Sequence, residues 1–489
     1  MTKNRFGFRQ TPAFIWAFTT YFAEGFPYSL IRTISTFFFR ASGVSLEATG
    51  LTSLLGLAWI FKFLWAPYLD FFGTKKKWLL LTQGILVVIF CLITLSAGRS
   101  WALPFVALLF FAASFIASTH DTAIDGYYLE ALDQAGQARF VGYRVMAYRI
   151  AMMFGSAVIV TLGARNGWPV AFGLSSFLLT LLFFFHLFFL PSCEYEKKPI
   201  KALIKKLISV PHLIVFLLGL VLLAAILLMD RSRAFLGSLP LANMVGVLLL
   251  LSLLMLIALR NSLMARIKEK PDSIFGRAFI SFIDQERITT IILFIVFIRV
   301  GEFMLSAMAG PFFIDAGLKG HYGWITGAVG LPCSIIGAMG GGWFIARYSL
   351  KKMIWPFLLA QNLTNLTYMA LAFHLIGDGQ GQMEMAQAAL SSSDILLACL
   401  VAAFDYLSGG MGTAVLMTFL MRLCKENFKA AHYAIGTGLM SVSGVYAGSF
   451  SGFLVDWCGY GVFFGLSFCF SLPAMAFIPF LPWPAVKKT

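Results

Sequence analysis

Charge is what this sequence has least of. Asp, Glu, Lys and Arg make up 12% of its 489 residues, about half the share usual in a soluble domain. Beside 59% hydrophobic residues and a mean hydropathy of +0.84, that scarcity excludes a water-soluble globular protein. It equally excludes a disordered chain or a nucleic-acid binder, both of which need far more charge. The seven cysteines are scattered, mostly inside apolar runs, with no metal-ligand or disulfide spacing, and the six histidines are dispersed. No His-rich, Ser-x-x-Lys or Asp-rich cluster points to catalysis, so neither a metal nor a cofactor is expected. What the chain does have is apolar length, with 51 Phe and 11 Trp. It reads as a polytopic membrane protein whose partners are lipid and a small solute, not nucleic acid.

A helix needs roughly 20 apolar residues to cross the hydrocarbon layer. Runs of that kind lie near 12–39, 46–72, 78–97, 101–131, 138–163, 168–190, 211–229, 239–260, 288–314, 322–347, 350–376, 394–424, 430–455 and 460–482, which predicts about 14 transmembrane helices. With the N-terminus placed in the cytoplasm, inside segments hold 26 Lys and Arg against 6 outside. That asymmetry sets the orientation and puts both termini inside. It also accounts for the net charge of +15 without an acidic partner.

An internal repeat divides the chain. The segment Ala66 to Lys76, with Asp70, Gly73, Lys75 and Lys76, is echoed by Gly342 to Lys352, where Arg347 and Lys351 follow a similar small-residue helix end. This resembles the Asp-x-x-Gly-basic gating loop of the major facilitator superfamily. The resemblance implies two six-helix halves related by an axis along the membrane normal, at 1–190 and 288–489. Between them, 191–287 is expected to supply a basic amphipathic helix on the membrane surface near 200–208, an accessory transmembrane hairpin at 211–260 and a cytoplasmic loop.

Ionisable residues inside apolar runs are costly and mark function or a buried pair. They are Glu24, Arg32, Lys62, His120, Asp121, Asp125, Arg144, Arg149, Arg299, Glu302 and Asp405. The runs holding Asp121 and Arg149 are antiparallel across a short turn, so equal depth pairs Asp125 with Arg144 and Asp121 with Arg149. Those pairs are either struts, or Arg149 faces a cavity and meets an anion. Arg299 and Glu302 stand three apart on one helix face. Glu24 has no local partner; Lys62 or Arg299 would be its structural mate. Gln361, Thr364, Asn365 and Tyr368 form one polar face that must point at protein or water.

Phe61 to Pro67 with Asp70 and the Lys75 to Leu80 stretch, Ala117 to Asp125, Tyr148-Arg149, Arg299 to Glu302 and Ser408 to Thr413 resemble the AmpG-type muropeptide permeases. The resemblance implies proton-driven import of anhydro-muropeptides across the bacterial inner membrane. It implies substrate contacts from Arg149, Arg299, Lys62, His120, Gln361, Asn365 and Tyr368. Coupling protons fall to Glu302 first, then Glu24, Asp121, Asp125 and Asp405. The family has Gln where His120 stands and a small residue where Glu24 stands. The related acetyl-CoA transporters share the Asp121 to Gly126 pattern, which keeps another anionic solute open. An intramembrane enzyme and a non-transporting receptor are the remaining alternatives.

Overall fold

Residues 11–43, 51–193, 198–200, 202, 274–376 and 390–482 are described by the computed structural model. The expected hairpin at 211–260 and most of the expected amphipathic stretch lie outside them. Among the described residues the regular structure is entirely helical, as it must be where no water can satisfy a strand edge.

Helix α1 (Ala13–Ser29) contains Pro27, which donates no N–H, and the chain then widens into a π turn at Leu30–Ile34 before continuing as Ser35–Ala41. The run expected as one span near 46–72 is instead a string of short helical pieces, Leu51–Gly56, Leu57–Phe61 and Lys62–Leu64, ending in α2 (Ala66–Phe71) with Pro67 in its first turn. After Gly73, whose φ of 67° favours glycine, α3 (Lys75–Ser96) starts on a Thr74 cap. Next come α4 (Leu103–Ala131), α5 (Gln134–Phe154) and α6 (Trp168–Phe189). Only Leu132 and Asp133 separate α4 from α5, and Asp133 caps α5 through the Gly136 N–H.

The later part opens with α7 (Ile274–Ile283), a short helix inside the segment expected as a loop. The apolar stretch Ile288–Phe297 then breaks at Arg299, which leaves helical geometry, and resumes as α8 (Val300–Phe313). Helices α9 (Leu331–Tyr348), α10 (Leu350–Leu375), α11 (Ser392–Arg422) and α12 (Lys429–Phe477, broken at Gly459) complete the fold. Eight helices among the described residues are long and apolar enough to cross a membrane.

Without a hydrophobic drive between helices in lipid, close packing must come from small residues. Helices α9 and α11 cross on glycines. A Cβ at Gly337 would sit 1.9 Å from the Leu407 carbonyl oxygen, and one at Gly410 would sit 2.4 Å from that of Ser334. Helices α5 and α9 meet the same way, through Gly142 against Met339 and Gly342 against Val141 and the Ala138 carbonyl. Gly337→Val should therefore unfold the α9–α11 crossing and lower the midpoint of thermal unfolding in detergent, by a cost of about 3 kcal/mol or more. Gly340→Ala in the same helix meets nothing within 4 Å and should hold or raise that midpoint.

Candidate functional site

Three polar groupings interrupt the apolar interior. The first lies among α1, Lys62, α4 and α5. Lys62 donates to the Asp121 carboxylate, and both are buried. Arg144 donates to Asp125 Oδ1 at 2.9 Å and to the Tyr433 hydroxyl at 2.8 Å, and Tyr21 donates to the same Asp125 oxygen at 2.9 Å. The Arg144 guanidinium lies over the rings of Tyr21, Tyr128 and Tyr433, 4.2, 5.2 and 5.4 Å from their centroids. Such a cage suits a desolvated cation. Carboxylate oxygens of Glu24, Asp121 and Asp125 all lie within 4.8 Å of one another, and Glu24 Oε2 is buried with no hydrogen-bond partner among the described residues.

The Asp125–Arg144 pair is the one expected from equal depth. Asp121 does not take Arg149, as that reasoning also expected: it takes Lys62, because the string of short turns before α2 brings the ammonium inward against α4.

The second grouping lies among α8, α10 and α11. Arg299 pairs with Glu302 and donates to Thr413 Oγ1 at 3.0 Å, while Gln361 donates to the other Glu302 oxygen. Gly412 is required here, since a Cβ would fall 1.6 Å from Gln361 Oε1. Asp405 lies against Thr364 and Tyr368. Arg149 reaches toward this grouping from α5, within electrostatic range of Glu302, Arg299, Tyr406 and Asp405. It is half-buried, and among the described residues it has no bonded acceptor.

The remaining members of the polar face do other work. Asn365 is fully buried and accepts from Ser467 of α12 at 2.6 Å. The Tyr368 ring packs among Phe312, Phe313 and Phe464. His120 is turned toward α3, its Nδ1 2.9 Å from Thr82 Oγ1. The Thr82 hydroxyl donates to the Trp78 carbonyl at 2.8 Å, so His120 donates through Nδ1 and its Nε2 is left without a partner.

The third grouping closes the lysine-rich end of the bundle. Asp70 accepts from the N–H groups of Ala430 and Ala431, at 3.2 and 2.8 Å, in the first turn of α12, and pairs with Lys75 at 3.1 Å. A carboxylate at a helix N-terminus satisfies orphan donors and opposes the helix dipole. Lys429 reaches back to Glu130 at 3.3 Å and to the Leu129 carbonyl at 3.1 Å. The Gly73 N–H donates to the Lys198 carbonyl at 2.7 Å, and Lys76 donates to that of Leu190.

Sequence reasoning did not find Tyr21, Tyr128, Tyr433 or Thr413. Tyr21 stands three residues before Glu24 on one helix face and was discoverable. Nothing in the sequence marks Tyr433, which meets Arg144 from the far part of the chain.

The family model described as Major Facilitator Superfamily matches residues 14–283. The anhydromuropeptide permease of Escherichia coli (strain K12) is 24% identical over 469 residues, covering 93% of this chain and 76% of that protein. The putative transporter AmpG 4 of Rickettsia felis is 21% identical over 470 residues, covering 94% of each. Among solved structures, a peptide transporter POT in complex with sulfate aligns with a TM-score of 0.62 at 14% identity, covering 95% of this chain and 94% of that one. The proton:xylose symporter XylE aligns with a TM-score of 0.61 at 11% identity, covering 96% and 95%.

Asp70→Ala removes the acceptor for two backbone donors and the partner of Lys75, a cost of about 1–3 kcal/mol to the closed end. Cys424, half-buried in the same region within electrostatic range of Asp70, supplies the readout once the other six cysteines are replaced by Ser. Its alkylation by an impermeant maleimide should quicken at least about fivefold.

Proposed function

Since this chain belongs to the major facilitator superfamily and is a transporter of the AmpG type rather than an enzyme, we propose that it imports anhydro-muropeptides across the bacterial inner membrane. In this reading two six-helix halves rock about a central site, both termini lie in the cytoplasm, and the proton gradient drives accumulation. Alternating access needs a clasp that closes one end while the other is open. Asp70, Gly73, Lys75 and Lys76 serve as that clasp on the cytoplasmic side.

The observation that carries the reading is Arg149. A half-buried guanidinium with no bonded acceptor among the described residues, within electrostatic range of Arg299 and Glu302, leaves hydrogen-bond donors for an anion to complete. Muropeptides carry carboxylates, and a guanidinium can grip one through two parallel hydrogen bonds. Gln361 and Glu302 beside it offer donors and acceptors for amide and hydroxyl groups of an amino-sugar peptide. Substrate arriving at Arg149 also competes with Glu302 for Arg299, so binding loosens the Arg299–Glu302 pair.

Acetyl-CoA or another anionic solute would satisfy the same cation. Proteoliposome uptake of labelled anhydro-muropeptide, with acetyl-CoA as competitor, separates the two. Saturable muropeptide uptake insensitive to acetyl-CoA supports the first; uptake of acetyl-CoA alone replaces it. Arg149→Lys keeps the charge and loses the fork. Uptake should fall about tenfold or more while the variant elutes as a folded, inserted protein. Wild-type uptake by that variant would make Arg149 a packing residue.

A further inference from the structure

We propose that one proton is held between Glu24 and Asp121, and that Arg144 relays its presence to Tyr433 in the later part of the chain. The proposal rests on the transport reading above and moves the first-ranked coupling group from Glu302 to Glu24.

The argument begins with a count of charges that must balance in an apolar interior. Around Glu24 stand Lys62, Asp121 and Asp125 on the elements packed against α1, Arg144 and Tyr148 from α5, Tyr21 on its own helix and Tyr433 from α12. Lys62 is committed to Asp121 and Arg144 to Asp125. Among the described residues that leaves three carboxylates against two cations. Arg32 does not make up the difference, because its guanidinium packs against Gly56, where a Cβ would lie 2.5 Å from Nη1. It also stands eight residues on, roughly 12 Å along the helix axis. His120 faces α3, and a proton on its Nε2 would find no acceptor.

The missing positive charge is therefore a proton, and the contacts say where it sits. Carboxylate oxygens of Glu24 and Asp121 lie within 4.8 Å of one another and Glu24 Oε2 is buried, a spacing that two ionised carboxylates would oppose. One proton supplies the donor and removes the surplus charge together. The other grouping needs none: Glu302 and Asp405 face Arg299 and Arg149, two against two.

Losing this proton sets an ionised Glu24 beside Arg144. The guanidinium then divides between Glu24, Asp125 and the Tyr433 hydroxyl, and the neutral hydroxyl is the weakest of the three acceptors. Tyr433 stands one helical turn beyond Lys429, in the stretch of α12 that Asp70 clasps. Proton occupancy in the early helices thus biases closure of the end that joins the two parts of the chain, and closure biases the proton in return.

Infrared difference spectra of the reconstituted protein test this without substrate. A carboxylic-acid band should appear at neutral pH, vanish in Glu24→Gln and persist in Glu302→Gln. In proteoliposomes Glu24→Gln should lose pH-gradient-driven accumulation at least tenfold while counterflow persists. Glu24→Asp withdraws the carboxyl from Asp121 and should shift the pH midpoint of accumulation downward, which keeps the test open if the Gln variant folds poorly. A band that survives Glu24→Gln, a band lost in Glu302→Gln, or an unmoved midpoint in Glu24→Asp overturns the proposal. A wild-type protein that moves no muropeptide in either mode overturns the transport reading and leaves the infrared assignment standing.

Discussion

An ion inside hydrocarbon must find a counter-charge within the protein, and that constraint orders this structure. Lys62 with Asp121, Arg144 with Asp125 and Arg299 with Glu302 each tie together two segments that sequence distance or a helix break would otherwise leave apart. Each removal of one partner would strand the other at a cost of about 3–5 kcal/mol. Lipid rewards Leu and Phe alike, so the side chains that face it can vary in kind. The glycines at the crossings are not, since they set how near the backbones come and hence whether the pairs can reach.

The pairs also divide labour. The Arg144–Asp125 pair is enclosed by the rings of Tyr21, Tyr128 and Tyr433, so its geometry is rigid and its hydrogen bonds strong. The Arg299–Glu302 pair is more open, flanked by an amide and a hydroxyl, with Arg149 in electrostatic range. A solute needs the second kind of environment and a stored proton the first. In the proposed reading transport uses both, and α5 links them, carrying Arg144 into the first grouping and Arg149 toward the second.

Much of this was legible in the sequence where spacing alone carries the information. Asp125 and Arg144 flank a short turn on antiparallel helices, near enough in depth for the long Arg144 side chain to reach the carboxylate. Arg299 and Glu302 share a helix face. The pairing of Lys62 was not legible, because it depends on a run that reads as one span yet forms several short turns around Pro67. Helix α7 was hidden for a related reason: its ten residues are too few for a span, and the charges that follow at Asp284, Glu286 and Arg287 read as loop. Asn365 and Tyr368 share helical periodicity with Gln361, but periodicity names a face without naming what covers it. Ser467 and a cluster of Phe rings cover theirs.

The two flanks of the interposed segment meet the same small piece of the molecule. Ile200 lies against Gly73 just past α2. On the return, Arg277 of α7 stacks over Phe71 at 5.1 Å, Phe279 meets Phe63 and the Ala278 carbonyl accepts from His432. Chain therefore leaves and re-enters at nearly one point. The entropy of closing such an excursion grows only logarithmically with its length, so residues can be gained or lost there at little cost to the helices on either side.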